Sequence, residues 1–428
     1  MSSPFKTAAV HTLGCKVNFT ETSMIAKQFQ EDGISLTSID EFADIYVVNT
    51  CSVTENANIK CDKLVKKIKG INPNSFIVVT GCYAQLKSDD LSKNNDIDLV
   101  VGSDNKLNIP QIIKEEMNSN LVTSKVDNIE SFRLSYSSGD RVRSFVKVQD
   151  GCDYNCTFCT IPLARGKSRS SKITEIVDLV NSLDRQGYKE VVLSGINLGD
   201  FGKGTDENCF QLFSQIEKNT SIPRIRISSI EPNLLSDEII DLIALSNKFM
   251  PHLHIPLQSG SDRILKLMKR RYNTRFYTNK IKKIKSVIPN ISIGVDVIVG
   301  FPSETDDEFN ETYNLLSDLE VSYLHVFTYS ERDNTYAAKL EPKVSQSIRN
   351  KRSKKLRLLS QYLKSQFIIK NMDLNHTILV EGIDENKLHG YTENYIKFHI
   401  NSDKMNINDL VNVRPIESSY ESIIGQKI

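Results

Sequence analysis

Three cysteines dominate the chemistry this chain can offer. Cys152, Cys156 and Cys159 lie in Gly151-Cys-Asp-Tyr-Asn-Cys-Thr-Phe-Cys-Thr160, a C-x3-C-x2-C spacing. Three thiolates on one tight loop can hold three irons of a cubane [4Fe–4S] cluster and leave the fourth iron without a protein ligand. A structural zinc site would need a fourth protein ligand, and no His or Cys follows nearby. The other five cysteines are scattered. Cys15, Cys51 and Cys82 each follow a strand-like run: Thr12-Leu-Gly-Cys15, Val47-Val-Asn-Thr-Cys51 and Val78-Val-Thr-Gly-Cys82. Ligands of open α/β sheets bind outside the carboxyl ends of the strands, so these three can converge despite their separation in sequence. Cys61, in a Lys-rich helix, and Cys209, at a helix start, are read as non-ligands.

The elements that must position these residues form two alternating series, and the fold class expected is α/β. Over residues 1–122, strands at Ala8–Leu13, Asp44–Val48, Phe76–Val79 and Leu99–Val101 alternate with helices at Glu21–Gln30 and Asn56–Lys69, which predicts a doubly wound parallel sheet. A polar stretch, Val122–Val142, turn-rich at Ser135–Asp140, reads as a linker. Over 138–368, strands at Phe145–Val148, Val191–Leu193, Ile225–Ile227, Leu253–Ile255, Ile293–Val299 and Leu324–Phe327 predict an incomplete (βα)6 barrel. Helices are expected between them at Ile173–Arg185, Ser236–Leu245 and Glu304–Leu319. Residues 371–428 switch to short strands with a turn signal at Asp384-Glu-Asn386, predicting a small OB-like β-barrel. The cysteine loop then follows the first barrel strand, where barrel sites are built. Gly195, Asn197, Ser229, Glu231, Gln258 and Asp296 fall at later strand ends as candidate cofactor contacts.

Composition narrows the class further. Of 428 residues 39% are hydrophobic and 25% charged, and 54 Lys+Arg against 53 Asp+Glu give a net charge of +1. Any nucleic-acid surface must therefore be local. Two basic segments qualify: Arg349–Arg357, and Lys266–Lys285 with Tyr272, Phe276 and Tyr277 interleaved. No apolar run reaches the ~18 residues of a membrane span. Eight cysteines without a signal-peptide pattern indicate a reducing, cytoplasmic setting.

The cysteine loop, with Phe158 just before its last Cys, is the radical S-adenosylmethionine signature. That resemblance implies that S-adenosylmethionine chelates the open iron through its amino and carboxylate groups, and that one electron from the cluster cleaves it to a 5′-deoxyadenosyl radical. Together with the three N-terminal cysteines and the C-terminal β module, the chain resembles the methylthiotransferase family. The likeness extends over Ile161-Pro-Leu-Ala-Arg165-Gly, His254-Ile-Pro-Leu-Gln-Ser-Gly260 and Gly300-Phe-Pro-Ser-Glu-Thr305. It implies a second [4Fe–4S] cluster on Cys15, Cys51 and Cys82, which carries the sulfur to be methylated and inserted. The last module resembles a TRAM domain, an RNA-binding fold, through Val380-Glu-Gly, Gly390-Tyr-Thr-Glu-Asn-Tyr395 and Ile424-Gly-Gln.

Within the family, Gly14-Cys-Lys-Val-Asn18 and Ile227-Ser-Ser-Ile-Glu-Pro232 are similar to the group acting on threonylcarbamoyladenosine (t6A) at position 37 of the tRNA anticodon loop. The resemblance also implies a flavodoxin- or ferredoxin-type electron donor and does not identify the sulfur donor. A bidentate Arg would suit the threonyl carboxylate, with Arg165 the first candidate. Three other readings stand beside it: an enzyme of isopentenyladenosine tRNA, an enzyme of a ribosomal protein aspartate, and an iron–sulfur RNA-binding module without turnover.

Overall fold

The structure is a computed structural model that describes residues 5–52, 55–115, 120–126, 129–139, 142–384, 387–400 and 405–428. Its N-terminal unit is a six-stranded parallel sheet of β1 (Thr7–Leu13), β2 (Ser35–Leu36), β3 (Ile45–Thr50), β4 (Phe76–Gly81), β5 (Leu99–Val101) and β6 (Leu121–Val122), in the order β2-β1-β3-β4-β5-β6. The run Ile45-Tyr-Val-Val-Asn-Thr is buried throughout, as befits a parallel strand covered on both faces. Ile25 and Phe29 of the helix Lys16–Glu31 pack on one face, and Cys61, Val65 and Ile68 of the helix Glu55–Ile71 pack on the other. The sheet is thus doubly wound, as expected; the two-residue edge strands β2 and β6 carry too little pattern to be read from sequence.

The linker reading needs correction. Ser135–Tyr136 is a strand (β7) pairing antiparallel with β8 (Ser144–Lys147), while β9 (Gln149–Asp150) pairs with β10 (Arg169–Ser170). The stretch packs because Ser135 meets Thr20 at 2.9 Å and Tyr136 accepts from Lys27, both on the helix Lys16–Glu31. After β8 come β11 (Glu190–Ser194), β12 (Arg224–Ile227), β13 (His252–His254), β14 (Ser292–Val299) and β15 (Tyr323–Thr328). They form two parallel sheets, β12-β11-β8 and β13-β14-β15, joined by parallel bridges Ile225–Phe249 and Ser229–His254. Six strands in sequence order make the incomplete barrel. Helices lie between them at Ile173–Arg185, Asp237–Leu245, capped by Ser236, and Asp306–Asp318, where Thr305 and Glu308 form a capping box.

The helix Gln346–Lys370 leads into a closed barrel of β16 (His376–Asp384), β17 (Lys387–Thr392), β18 (Lys397–Ile400), β19 (Leu410–Ser418) and β20 (Ser422–Lys427). In the turn expected at Asp384–Asn386, residues 385–386 lie outside the described residues. Among the described residues, no helix is long and apolar enough to cross a membrane.

Candidate functional site

The loop from Gly151 to Thr160 leaves β9 at the carboxyl end of the first barrel strand and closes on the helix Ile161–Arg165. Gly151 has φ +71, and a Cβ there would collide with the Lys167 carbonyl, so the entry requires glycine. Each of the three sulfurs accepts at least one N–H. Tyr154 N–H donates to Cys152 Sγ and Ile161 N–H to Cys159 Sγ, both at 3.4 Å, and Arg270 Nη1 donates to Cys156 Sγ at 3.2 Å. Burial pushes the Cys152 thiol up to about 11 and Cys159 up to about 12. Cys156 is also raised by burial, with the Arg270 charge opposing it. Such thiols resist ionisation on their own and become thiolates when a metal replaces the proton, while the N–H donors hold the charge. This donor set fits an iron–sulfur cluster.

The strand-end candidates divide by place. Phe158, Gln258 and Asp296 line a cavity of about 190 Å³ with Cys159. Gln258 N–H donates to the Asp296 carbonyl at 2.9 Å, and His254 pairs with the Asp296 carboxylate at 2.9 Å. Asn197 Nδ2 lies 4.0 Å from Cys152 Sγ, and Glu231 pairs with Arg270, the donor to Cys156. Gly195 abuts Gln149, whose side chain receives Asn197 N–H at 2.8 Å. Ser229 serves the bridge to His254 and is not drawn to the loop by any described contact.

The N-terminal cysteines are brought together by register. Leu13 pairs with Thr50, and Thr50 with Gly81, so Cys15, Cys51 and Cys82 leave the ends of three adjacent strands. A Cβ on Gly14 would lie 3.2 Å from Cys51 Cβ. Arg165 Nε donates to Cys82 Sγ at 3.3 Å, and its charge acts on Cys15 as well. Among the described residues, no three His, Cys, Asp or Glu side chains sit close enough to hold a single metal ion. A cubane, whose thiolates bind different irons, spaces its ligands more widely. Cys61 and Cys209 are buried in apolar cores, and burial pushes the Cys61 thiol up to about 12.

Arg165 is not free to meet a substrate carboxylate. Its side chain is 1% exposed and joins a buried ion cluster: Nη1 meets Asp150 at 2.8 Å and Glu21 at 3.1 Å, and Nη2 meets Asn18 and Glu21. Lys106 and Lys147 complete the cluster at 2.7 and 3.2 Å from Glu21. Burial alone would raise the Glu21 pKa, but Arg165, Lys106 and Lys147 hold it well below the usual carboxylate range.

The basic segments are also smaller than the sequence suggests. Arg349 and Arg352 are buried against Glu331 and Glu304, at 3.0 and 2.6 Å, leaving Lys351, Lys354, Lys355 and Arg357 exposed. Tyr272 and Tyr277 are core residues whose hydroxyls donate to the Leu257 and Ile255 carbonyls. Arg270, read as part of the second segment, turns inward to Cys156 and Glu231.

This partial barrel with an N–H-supported three-cysteine loop is the architecture of radical S-adenosylmethionine enzymes. The Radical SAM superfamily matches residues 146–316, and the family described as Uncharacterized protein family UPF0004 matches residues 7–102. A cobalamin- and [4Fe–4S]-bound radical S-adenosylmethionine methyltransferase, TsrM of Kitasatospora setae, superposes with a TM-score of 0.57 at 12% identity, covering 78% of this chain and 77% of that one. That likeness shows the fold. The chain is 37% identical to the threonylcarbamoyladenosine tRNA methylthiotransferase MtaB of Bacillus subtilis (strain 168), over 98% of this chain and 96% of the relative. The protein of the same name from Aquifex aeolicus (strain VF5) is 39% identical over 91% and 95%. The tRNA-2-methylthio-N(6)-dimethylallyladenosine synthase of Staphylococcus epidermidis (strain ATCC 35984) is 34% identical over 98% and 84%. The chain belongs to the radical S-adenosylmethionine methylthiotransferase family.

Proposed function

We propose that this protein methylthiolates C2 of N6-threonylcarbamoyladenosine at position 37 of tRNA, using S-adenosylmethionine and two [4Fe–4S] clusters. The observation that carries the reading is the shared junction of the two cysteine sets. Arg165, six residues after Cys159, donates directly to Cys82 Sγ, and Thr160 Oγ1 donates to the Ser52 carbonyl, so the two cysteine-bearing loops abut. When bound, the clusters and S-adenosylmethionine supply a 5′-deoxyadenosyl radical and a sulfur for methylation and transfer.

The chain's own residues do the rest. Cys152, Cys156 and Cys159 hold the radical-generating cluster, and Cys15, Cys51 and Cys82 hold the second. Phe158, Gly195, Asn197, Ser229, Glu231, Gln258 and Asp296 form the walls for S-adenosylmethionine, and Arg270 fixes Glu231 through its ion pair. A base in a folded anticodon loop must be splayed out to reach this junction. The exposed face of the helix Gln346–Lys370 and the C-terminal barrel offer the surface for tRNA phosphates. A flavodoxin- or ferredoxin-type protein supplies electrons, and the reaction belongs in the cytoplasm.

The substrate assignment is supported by the Cys15-Lys-Val-Asn18 loop and by the relatives that carry the t6A name. An anaerobic assay offers the enzyme t6A-tRNA, isopentenyladenosine-tRNA and the ribosomal protein in parallel, with nucleoside and peptide mass spectrometry as readout. Methylthiolation of t6A-tRNA is expected. Product on either of the others with none on t6A would overturn the substrate while leaving the radical chemistry in place.

A further inference from the structure

Lys16 stands next to Cys15, at the first position of the helix Lys16–Glu31. Its ammonium lies 5.9 Å from the centroid of the Phe145 ring, on the first barrel strand. The other cations of this junction each pair with a carboxylate. Arg165 and Lys147 pair with Glu21 and Asp150, and Lys106 pairs with Glu21. Arg143 pairs with Glu381, and Arg226 with Glu190. Among the described residues, Lys16 has no ion-pair or hydrogen-bond partner; besides the Phe145 ring, Tyr395, Arg143, Arg226 and Glu190 act on its charge, Glu190 being already paired with Arg226. The Lys16 side chain is exposed at this junction, and Glu190, the carboxylate that acts on it, is held by Arg226, so its ammonium is open to an incoming anion.

The cavity beside it has matching chemistry. Lys16, Cys15 and Phe145 line a space of about 530 Å³, within the range of small-ligand sites. Thr12 and Thr37 line the same space, and both hydroxyls are buried without a hydrogen-bond partner among the described residues. One cation and two unsatisfied hydroxyls, beside a cysteine proposed to bind the sulfur-carrying cluster, complement a substituent bearing a carboxylate, a hydroxyl and a urea. The N6-threonylcarbamoyl group has that composition. A dimethylallyl group has none of it and would leave all three protein groups unpaired.

We infer that Lys16 is the specificity-determining residue of this enzyme, binding the carboxylate of the substrate's N6-threonylcarbamoyl group in the cavity beside Cys15. The inference rests on the t6A reading above and names the group that enforces it.

The test uses anaerobically reconstituted holoenzyme and anticodon stem-loops carrying t6A or its methyl ester at position 37, with Kd measured at fixed salt. The wild type binds the acid about tenfold or more tighter than the ester, the scale of a charge-assisted hydrogen bond. Lys16→Gln binds both equally, at the level of the wild type with the ester, because removing either partner removes the same interaction. Lys16→Met, which keeps the stem and removes the charge, behaves the same way, and Lys16→Arg keeps the preference. A Lys16→Gln or Lys16→Met enzyme that still separates acid from ester overturns the inference, as does a wild type that does not separate them. Either result leaves the t6A reading standing. That reading fails instead if the wild type never methylthiolates the t6A stem-loop.

Discussion

Arg165 sends one guanidinium to Cys82 at 3.3 Å, Asp150 at 2.8 Å and Glu21 at 3.1 Å, linking the N-terminal sheet to the barrel. A lysine has a single ammonium and cannot make this fork. Arg165→Gln leaves Glu21 and Asp150 short of a buried counter-charge, a loss of about 3–5 kcal/mol for a broken buried pair. Thermal unfolding followed by circular dichroism should show that loss, and an unchanged melting temperature would contradict the role. The cysteines predict a cleaner division. Replacing Cys152, Cys156 and Cys159 by Ala should remove about half the iron of the anaerobic protein and all S-adenosylmethionine cleavage. Replacing Cys15, Cys51 and Cys82 should remove the other half with cleavage still measurable. Iron for a single cluster in the wild type would refute the second site.

At the level of elements, the end of β4 is a tightly constrained turn. Gly81 has φ +98, and a Cβ would meet the Thr50 carbonyl and lie 2.5 Å from Asn49 Oδ1. These are backbone and buried side-chain atoms of the neighbouring strand, with little room to give. Gly81→Ala should push the start of the helix Cys82–Leu86 away from Cys51 and Cys15. We expect the variant to fold yet bind roughly half the wild-type iron, with the radical-cluster spectrum retained; full iron loading would show that the turn does not set the ligand position.

Across the whole molecule, the C-terminal barrel is locked to the core. Arg224 donates to the Tyr391 and Thr377 carbonyls, and Arg226 to the Glu393 carbonyl at 3.2 Å, while its guanidinium lies 4.8 Å from the Tyr395 ring centroid. Glu190 underlies both arginines. Burial opposes its ionisation, but Arg226, Arg143 and Arg224 hold its pKa at about 2, from 4.5. A depressed carboxylate stabilises the folded protein above its unfolded pKa, and the contribution is lost as pH falls from about 4.5 toward 2. Acid should therefore loosen this interface in that window. In unfolding measured from pH 6 to pH 3, Glu190→Gln should start less stable and show a shallower decline; a slope equal to the wild type's would sink the assignment. Deleting residues 371–428 would also strip Arg224 and Arg226 of their carbonyl acceptors while leaving Glu190, so loss of tRNA binding in such a truncation would mix lost contacts with a disturbed core.

The three-cysteine loop and the alternation of strands and helices were legible in the sequence because both are local. Thiol spacing within ten residues fixes a ligand set, and hydrophobic period fixes element type. The helix Ile173–Arg185 has the bounds its pattern predicts. The C-terminal strands β17 and β20 carry a weaker signal, since Gly390 and Gly425 interrupt their patterns. Arg349 and Arg352 carried a readable signal: with Leu356, Leu359 and Leu363 they lie on one buried helical stripe, which argues for paired core arginines over a phosphate patch. Arg270 gave no such signal, because a Lys-Arg-Arg run does not say which member turns inward. What pairs with what was decided only by the tertiary structure. Arg165 and Lys16 are both cations beside cysteine loops, and their sequences do not distinguish them. The fold places Glu21 and Asp150 against one and neither against the other, because a charge's role depends on neighbours that come from distant parts of the chain.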